Sequence, residues 1–300
     1  MGEFLALKRP NMSLTDPQPV VFKDVLAGPE ARDVLKEQGY LLIDRVAEDR
    51  EVSRIREICE TLFETRAGFN EGKQFDMVGT DDEATAPKLP QIEYPSDLVP
   101  ELFNTQFYAT AYSLAKHLLG PEARFTFDHF IKKPALDGAA TPWHQDEAFR
   151  DPAYDYSEIT VWMPLQAVDQ RNGCMEFIPG SNRGEVLPHR PLNDDVRVHA
   201  LNCYEGFDPT TRVSCRLPAG GCSIHMGRTV HGAGPNYSET PRYSYSLVFD
   251  LPKRPRTTPR TFPWQQCRQT ARMRRESAWR RSLGGIYKRV VRKIRHRANL

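Results

Sequence analysis

The sequence predicts a mostly β, α+β protein, with a helical N-terminal layer packed on a jelly roll and a basic C-terminal extension. Three observations carry this expectation. Within residues 21–252, helical periodicity is confined to the stretch before Gly120. Beyond it, short segments rich in β-branched and aromatic residues are separated by Gly, Pro and Asn turns, the spacing of a sandwich or barrel. Finally, residues 251–300 hold 16 Lys and Arg against one acid, Glu276, which leaves 25 basic and 38 acidic residues for the rest of a chain totalling 41 and 39. Such a split implies two parts with different surroundings.

Residues 1–20 are polar and proline-interrupted and read as an extended lead-in. Gly2-Glu3-Phe4 ahead of a second methionine, Met12, reads as an added leader before the natural start. The expected domain then spans 21–252, with 253–300 as the extension. Pro29–Gln38 predicts a short helix ended by Gly39, and Tyr40–Ile43 a buried strand. Ala47–Arg66 places Val52, Ile55, Ile58, Cys59, Leu62 and Phe63 at helical spacing. Gly68–Ser96 has no periodicity and reads as a lid or disordered loop, and Asp97–Leu119 as a helix with Pro100 in its first turn. The strand candidates are Arg124–Lys133, Ile159–Leu165, Met175–Ile178, Gly221–His225 and Arg242–Asp250.

A chain of 300 residues, 39% hydrophobic, can bury one sizeable core. No run approaches the roughly 18 apolar residues of a bilayer span, and no secretory signal is visible. The six cysteines, at 59, 174, 203, 215, 222 and 267, lack framework spacing and predict free thiols in a reducing, cytoplasmic setting. Cys174 and Cys222 read as small buried hydrophobes, and Gly173 and Gly180 as turn residues.

Chemistry concentrates around His144-Gln145-Asp146. Residues i and i+2 of an extended backbone point the same way, so His144 and Asp146 can reach one point, and His231 offers a third ligand. Two histidines and a carboxylate form the facial triad of non-haem Fe(II) oxygenases, whose open positions take a keto acid and dioxygen. One H-x-D alone arises by chance in roughly a third to a half of chains with eight histidines. The combination with His231 and with a basic residue beyond it gives the pattern its weight. That residue is Arg242, eleven positions past His231, with Ser244 on the same strand face. An arginine supplies two parallel donors to a keto acid's distal carboxylate. On its residues alone, Arg242 is equally well an exposed strand arginine. His225 reads as core packing rather than as a ligand.

From about Phe127 to Phe249 the chain resembles the phytanoyl-CoA dioxygenase family of Fe(II)/2-oxoglutarate enzymes. The matching motifs are Ile131-Lys132-Lys133-Pro134, His144-Gln145-Asp146, Asn172-Gly173-Cys174 leading to Ile178-Pro179-Gly180-Ser181, His231-Gly232-Ala233-Gly234, and Arg242. The resemblance implies a double-stranded β-helix (cupin-like jelly roll) with iron at His144, Asp146 and His231 and 2-oxoglutarate held by Arg242. By position it would put Lys133 and Trp162 along the cosubstrate pocket, with Ser244 replacing the contact some members make through a serine at the position of Ala233. It implies an O2-consuming dioxygenase that hydroxylates an unactivated C–H of a small-molecule or lipid-linked substrate. With Asp146 present no ligand position is vacated for a halide, so hydroxylation is expected over halogenation. Two other classes stand beside this one: a non-catalytic jelly-roll binding protein, and a nucleic-acid binder acting through the basic tail, which lacks any recognition motif.

The tail carries its own expectation. At helical spacing from Trp279 to Arg297, the apolar residues Trp279, Leu283, Ile286, Tyr287, Val290, Val291 and Ile294 share one arc. Arg281, Lys288, Arg289, Arg292, Lys293 and Arg295 lie opposite. A tryptophan-tipped apolar stripe under a cationic face suits an in-plane helix on an anionic membrane surface, which would make the protein peripheral on the cytoplasmic face. The same stripe also suits docking on the chain's own acidic body, and Gly284-Gly285 weakens the first turn. If residues 279–297 bind membrane, the full chain should sediment with anionic liposomes and not with neutral ones, and a chain ending near Arg275 with neither. Equal partitioning of the two chains would remove the membrane role.

Overall fold

The computed structural model describes residues 21–22, 30–81 and 85–282. In chain order the elements are β1 (Val21–Phe22), α1 (Glu30–Gln38), β2 (Tyr40–Ile43), α2 (Asp49–Glu64), β3 (Gln74–Asp76), β4 (Pro90–Glu93), α3 (Gln106–Leu119), β5 (Arg124–Lys133) and β6 (Thr141–His144). There follow β7 (Tyr154–Asp155), β8 (Glu158–Pro164), β9 (Met175–Phe177), β10 (His189–Pro191), β11 (Leu201–Cys203), β12 (Val213–Cys215), β13 (Cys222–Met226), β14 (His231–Ala233), β15 (Arg242–Asp250), β16 (Arg254–Pro255), α4 (Pro263–Gln266) and α5 (Ala271–Arg281).

Eight strands form one sheet in the order β1-β2-β13-β8-β15-β5-β4-β3, and four form a second, β12-β9-β14-β6. The two sheets meet over a small core in which Tyr40 of β2 stacks on Phe177 of β9 at 4.8 Å. The outer face of the large sheet is covered by the N-terminal helices. The buried residues of α2, Val52, Ile55, Cys59, Leu62 and Phe63, fall at the spacing read from the sequence. They share a core with Phe107 and Leu114 of α3 and with Ile159, Val161, Ile224, Tyr245 and Leu247 of the sheet. Gly39 ends α1 at φ +85°, where an added Cβ would stand 2.6 Å from Thr229 Oγ1. Only a residue without a Cβ fits there.

This two-sided cover fixes which way each strand residue faces. On β15, Tyr243, Tyr245, Leu247 and Phe249 enter the helix-side core, so Arg242, Ser244 and Ser246 turn toward the interior of the roll, and all of them are buried. β8 and β13 alternate in the same way, with Thr160, Trp162, Ser223 and His225 left on the interior side.

Two expectations are corrected. Gly68–Ser96 is not a lid: β3 and β4 extend the large sheet at its edge through β5. The carboxylate of Asp76 accepts from the backbone N–H of Lys88 and of Leu89 at 3.0 and 2.9 Å, and Met77 and Leu89 pack with Val198 and Ala200. Strands of three and four residues are too short to show a period. The helix expected from Asp97 begins at Gln106, after two 3-10 turns, with Thr105 capping it through Tyr108 N. Beyond Ser282, the stripe expected over 279–297 lies outside the described residues.

No described helix is long and apolar enough to cross a membrane. Phe130 is fully buried, its ring 4.5 Å from that of Tyr245. Phe130→Ala should therefore cost about 3–5 kcal/mol, read as a lower urea midpoint with an unchanged slope.

Candidate active site

The site begins with a strand pairing. β14 runs antiparallel to β6 with His231 opposite His144, and the two imidazole centroids lie 4.2 Å apart. Two residues past His144 the chain turns into a 3-10 segment, Asp146–Phe149, which brings the Asp146 carboxylate beside both rings. Nε2 of His144 and of His231 each lie 3.7 Å from Asp146 Oδ1. One ligand atom from each of the three residues falls within 4.8 Å of the others.

The surroundings select which atoms remain free. His144 Nδ1 lies 2.8 Å from the Pro142 carbonyl and His231 Nδ1 2.9 Å from the Thr229 carbonyl. A carbonyl only accepts, so both Nδ1 atoms carry the proton and both Nε2 lone pairs face the interior. Asp146 Oδ2 accepts from Thr160 Oγ1 at 2.9 Å and meets His225 Nε2 at 3.3 Å, leaving Oδ1 for the shared point. Burial, reinforced for His231 by the neighbouring His144 and His225, holds the two imidazoles below the ordinary histidine range and neutral. Burial alone would raise the Asp146 carboxyl, but His231, His225 and His144 outweigh it and hold it well below its usual value. Two neutral imidazoles and an ionised carboxylate are the protonation states that a divalent metal requires, and this donor set fits Fe(II).

A cavity of about 280 Å³ opens over the three residues, lined among others by Thr160, Trp162, Phe149 and Arg242. Arg242 lies opposite Lys133 on β5 and is 2% exposed. Its Nη1 donates to Ser244 Oγ and its Nη2 to the Gly173 carbonyl, both at 3.0 Å. The guanidinium carbon stands 5.5 Å from the Trp162 ring centroid. Nε has no partner among the described residues, and burial pushes the group down to about 9. It stays charged at neutral pH with no carboxylate to pair with among the described residues.

Of the residues singled out in the sequence, His144, Asp146, His231, Arg242 and Trp162 line this cavity together, and Ser244 supports Arg242 from behind. Lys133 is buried but outside the lining; its Nζ donates to the carbonyls of Ala139 and Gly234 at 2.6 and 2.8 Å. It ties together the loops behind Arg242. His225 is not one of the three clustered donors; its ring packs against Phe177 and, at 4.2 Å, against His231, and its Nε2 steadies Asp146 at the cavity wall.

The pattern of the phytanoyl-CoA dioxygenase (PhyH) family matches residues 35–244. The chain belongs to the phytanoyl-CoA dioxygenase family. Among family relatives, a Stutzerimonas stutzeri protein named "Probable alpha-ketoglutarate-dependent hypophosphite dioxygenase" is 30% identical over 221 residues, covering 71% of this chain and 74% of that one. "Phytanoyl-CoA dioxygenase, peroxisomal" of Homo sapiens is 24% identical over 232 residues, covering 73% and 67%. The crystal structure of EvdO2 from Micromonospora carbonacea var. aurantiaca complexed with 2-oxoglutarate superposes with a TM-score of 0.68 at 33% identity, over 79% of this chain and 96% of that one. The phytanoyl-CoA dioxygenase fold is the double-stranded β-helix expected, and the chain is a 2-oxoglutarate-dependent non-haem iron dioxygenase with Fe(II) and 2-oxoglutarate as cofactors. Enzyme family membership sets aside the binding-protein alternative.

Sequence reasoning missed the wall of the cavity formed by Arg150, His199, Arg268 and Arg272. These come from a turn, a loop and the C-terminal extension, where no periodicity points inward. The Thr160 contact had a legible signal, since Thr160 shares its strand face with Trp162.

Because outer partners fix the orientation of ligands, His225→Phe should lower iron affinity about 10–100-fold while the unfolding midpoint stays close to that of the parent. An unchanged Fe(II) titration would show that Thr160 alone orients Asp146.

Proposed function

We propose that this dioxygenase hydroxylates an unactivated C–H of a small organic or lipid-linked substrate, with His144, Asp146 and His231 holding Fe(II) and Arg242 holding the distal carboxylate of 2-oxoglutarate. The observation that carries the reading is the buried, acid-free guanidinium of Arg242 in the same cavity as the three candidate ligands. A buried cation without a counter-charge is costly, and a dicarboxylate cosubstrate supplies that charge.

Bound iron, with 2-oxoglutarate and dioxygen, supplies the oxidising power for C–H cleavage. The chain's own residues do the rest. Thr160 and His225 fix Asp146 so that Oδ1 faces the ligand point. Arg242 presents its fork against a carboxylate, held in plane by Ser244 and the Gly173 carbonyl. Trp162, Phe127 and Phe149 line the cavity with apolar surface that keeps water from the reacting carbon. The names of the relatives range from hypophosphite to phytanoyl-CoA, so family membership leaves the substrate open.

The test is succinate formation from 2-oxoglutarate by the Fe(II)-loaded protein, screened against lipid, acyl-CoA, amino-acid and saccharide pools. Arg242→Ala should raise the apparent KM for 2-oxoglutarate about 30-fold or more, and His144→Ala should bind no iron. A normal cosubstrate titration in Arg242→Ala would transfer the carboxylate to another cation.

A further inference from the structure

Two guanidinium groups lining the cavity make no ion pair among the described residues, and the cosubstrate accounts for one, Arg242. The other is Arg268, which lies beyond the family-matched range of 35–244. The remaining two cavity arginines are neutralised in place. Arg150 makes a two-pronged pair with Glu158, both contacts at 2.8 Å, and Arg272 grips both carboxylate oxygens of Glu93. Glu93 and Asp146 are the acids of the lining; Arg272 holds the first, and Thr160 and His225 hold the second.

Arg268 spends its donors on neutral groups. Its Nη2 donates to His199 Nδ1 at 2.7 Å and to the His199 carbonyl at 2.9 Å, while its buried Nε has no partner among the described residues. His199 cannot offset the charge: burial, then Arg268 and Arg272, hold its imidazole well below the usual range and neutral. Burial and the charge of Arg272, only partly opposed by the more distant Glu93 carboxylate that Arg272 holds, push Arg268 down to about 10, so it too is a cation at neutral pH. The Arg268 guanidinium stands 5.5 Å from the Phe149 ring, which in turn packs edge-on against His144 at 6.2 Å. One aromatic ring therefore separates this cation from the three clustered donors.

We propose that Arg268 is the anchor for an oxyanion group of the prime substrate, a carboxylate, phosphate or phosphonate, which holds the reacting C–H over the metal side of the cavity. The proposal rests on the oxygenase reading above. The two negative charges of 2-oxoglutarate would be met by the metal held at His144, Asp146 and His231 and by Arg242, which leaves Arg268 for a second anion. A guanidinium with an orphan Nε–H can meet an oxyanion with charge-assisted donors, and a neutral substrate would leave the cation buried and unpaired. A cavity of about 280 Å³ that also houses the cosubstrate admits a small anion or the anionic end of a longer molecule.

The test titrates the full chain, loaded with Fe(II) and 2-oxoglutarate and kept free of dioxygen, by calorimetry. The probes are methylphosphonate, hexyl phosphate and hexanoate, each beside its fully methylated, uncharged ester (the dimethyl ester for the phosphonate and the phosphate). At least one anion should bind, with its ester weaker by about 30-fold. Arg268→Met should remove that preference, Arg268→Lys should keep part of it, and the affinity for 2-oxoglutarate should be alike in all three proteins. The proposal is overturned if no anion outbinds its ester, if Arg268→Met binds the anion as the parent does, or if the anion displaces 2-oxoglutarate. A parent protein unable to bind 2-oxoglutarate at all would instead remove the oxygenase reading.

Discussion

The site hangs on a single cross-strand pairing, His231 opposite His144. A strand exposes alternate residues to opposite faces, so a slip of one position in β14 would turn His231 away from the ligand point. The register is held from both sides. Ile178 N donates to the Val230 carbonyl and Val230 N donates to Ser181 Oγ, just before the histidine, while Glu176 and Met175 pair with Gly232 and Ala233 after it. The irregular step between His231 and Ala233 lets the strand leave this pairing without dragging the imidazole out of place.

The second constraint is that the central strands of the large sheet, β8, β13 and β15, have no solvent face. Their outer side is sealed by α2 and α3, so the polar members of β8, β13 and β15 line the inside of the roll. Half-polar alternation ordinarily signals one wet face. Here the same pattern encloses the chemistry, and Arg242, Ser244, Thr160 and His225 are buried because the helices leave them nowhere else to go.

This explains what could be read from the chain alone. The spacing of His144 and Asp146, and the long strand ending at Asp250, are local patterns, and local patterns survive in a sequence. Arg242 could be placed on a strand face but not on the inner one, since that depends on helices more than a hundred residues away. β3 and β4 carry too few residues to show a period, and their order comes from Asp76 and from pairing with β5. Arg268 was hidden by its neighbours: among 16 basic residues in the last fifty, nothing in composition marks Arg268 and Arg272 as the pair that reaches the cavity.

The segment after β15 has a second attachment. Arg260 and Arg228 both grip the buried carboxylate of Glu147, and the Trp264 indole and the Gln265 amide donate to the Ala148 carbonyl. Glu147 and Ala148 follow Asp146 directly, so this closing strap is bolted to the turn that carries the carboxylate. A change in the extension that loosened Arg260 or Trp264 would therefore be felt at the Asp146 carboxylate, through the backbone of Glu147 and Ala148.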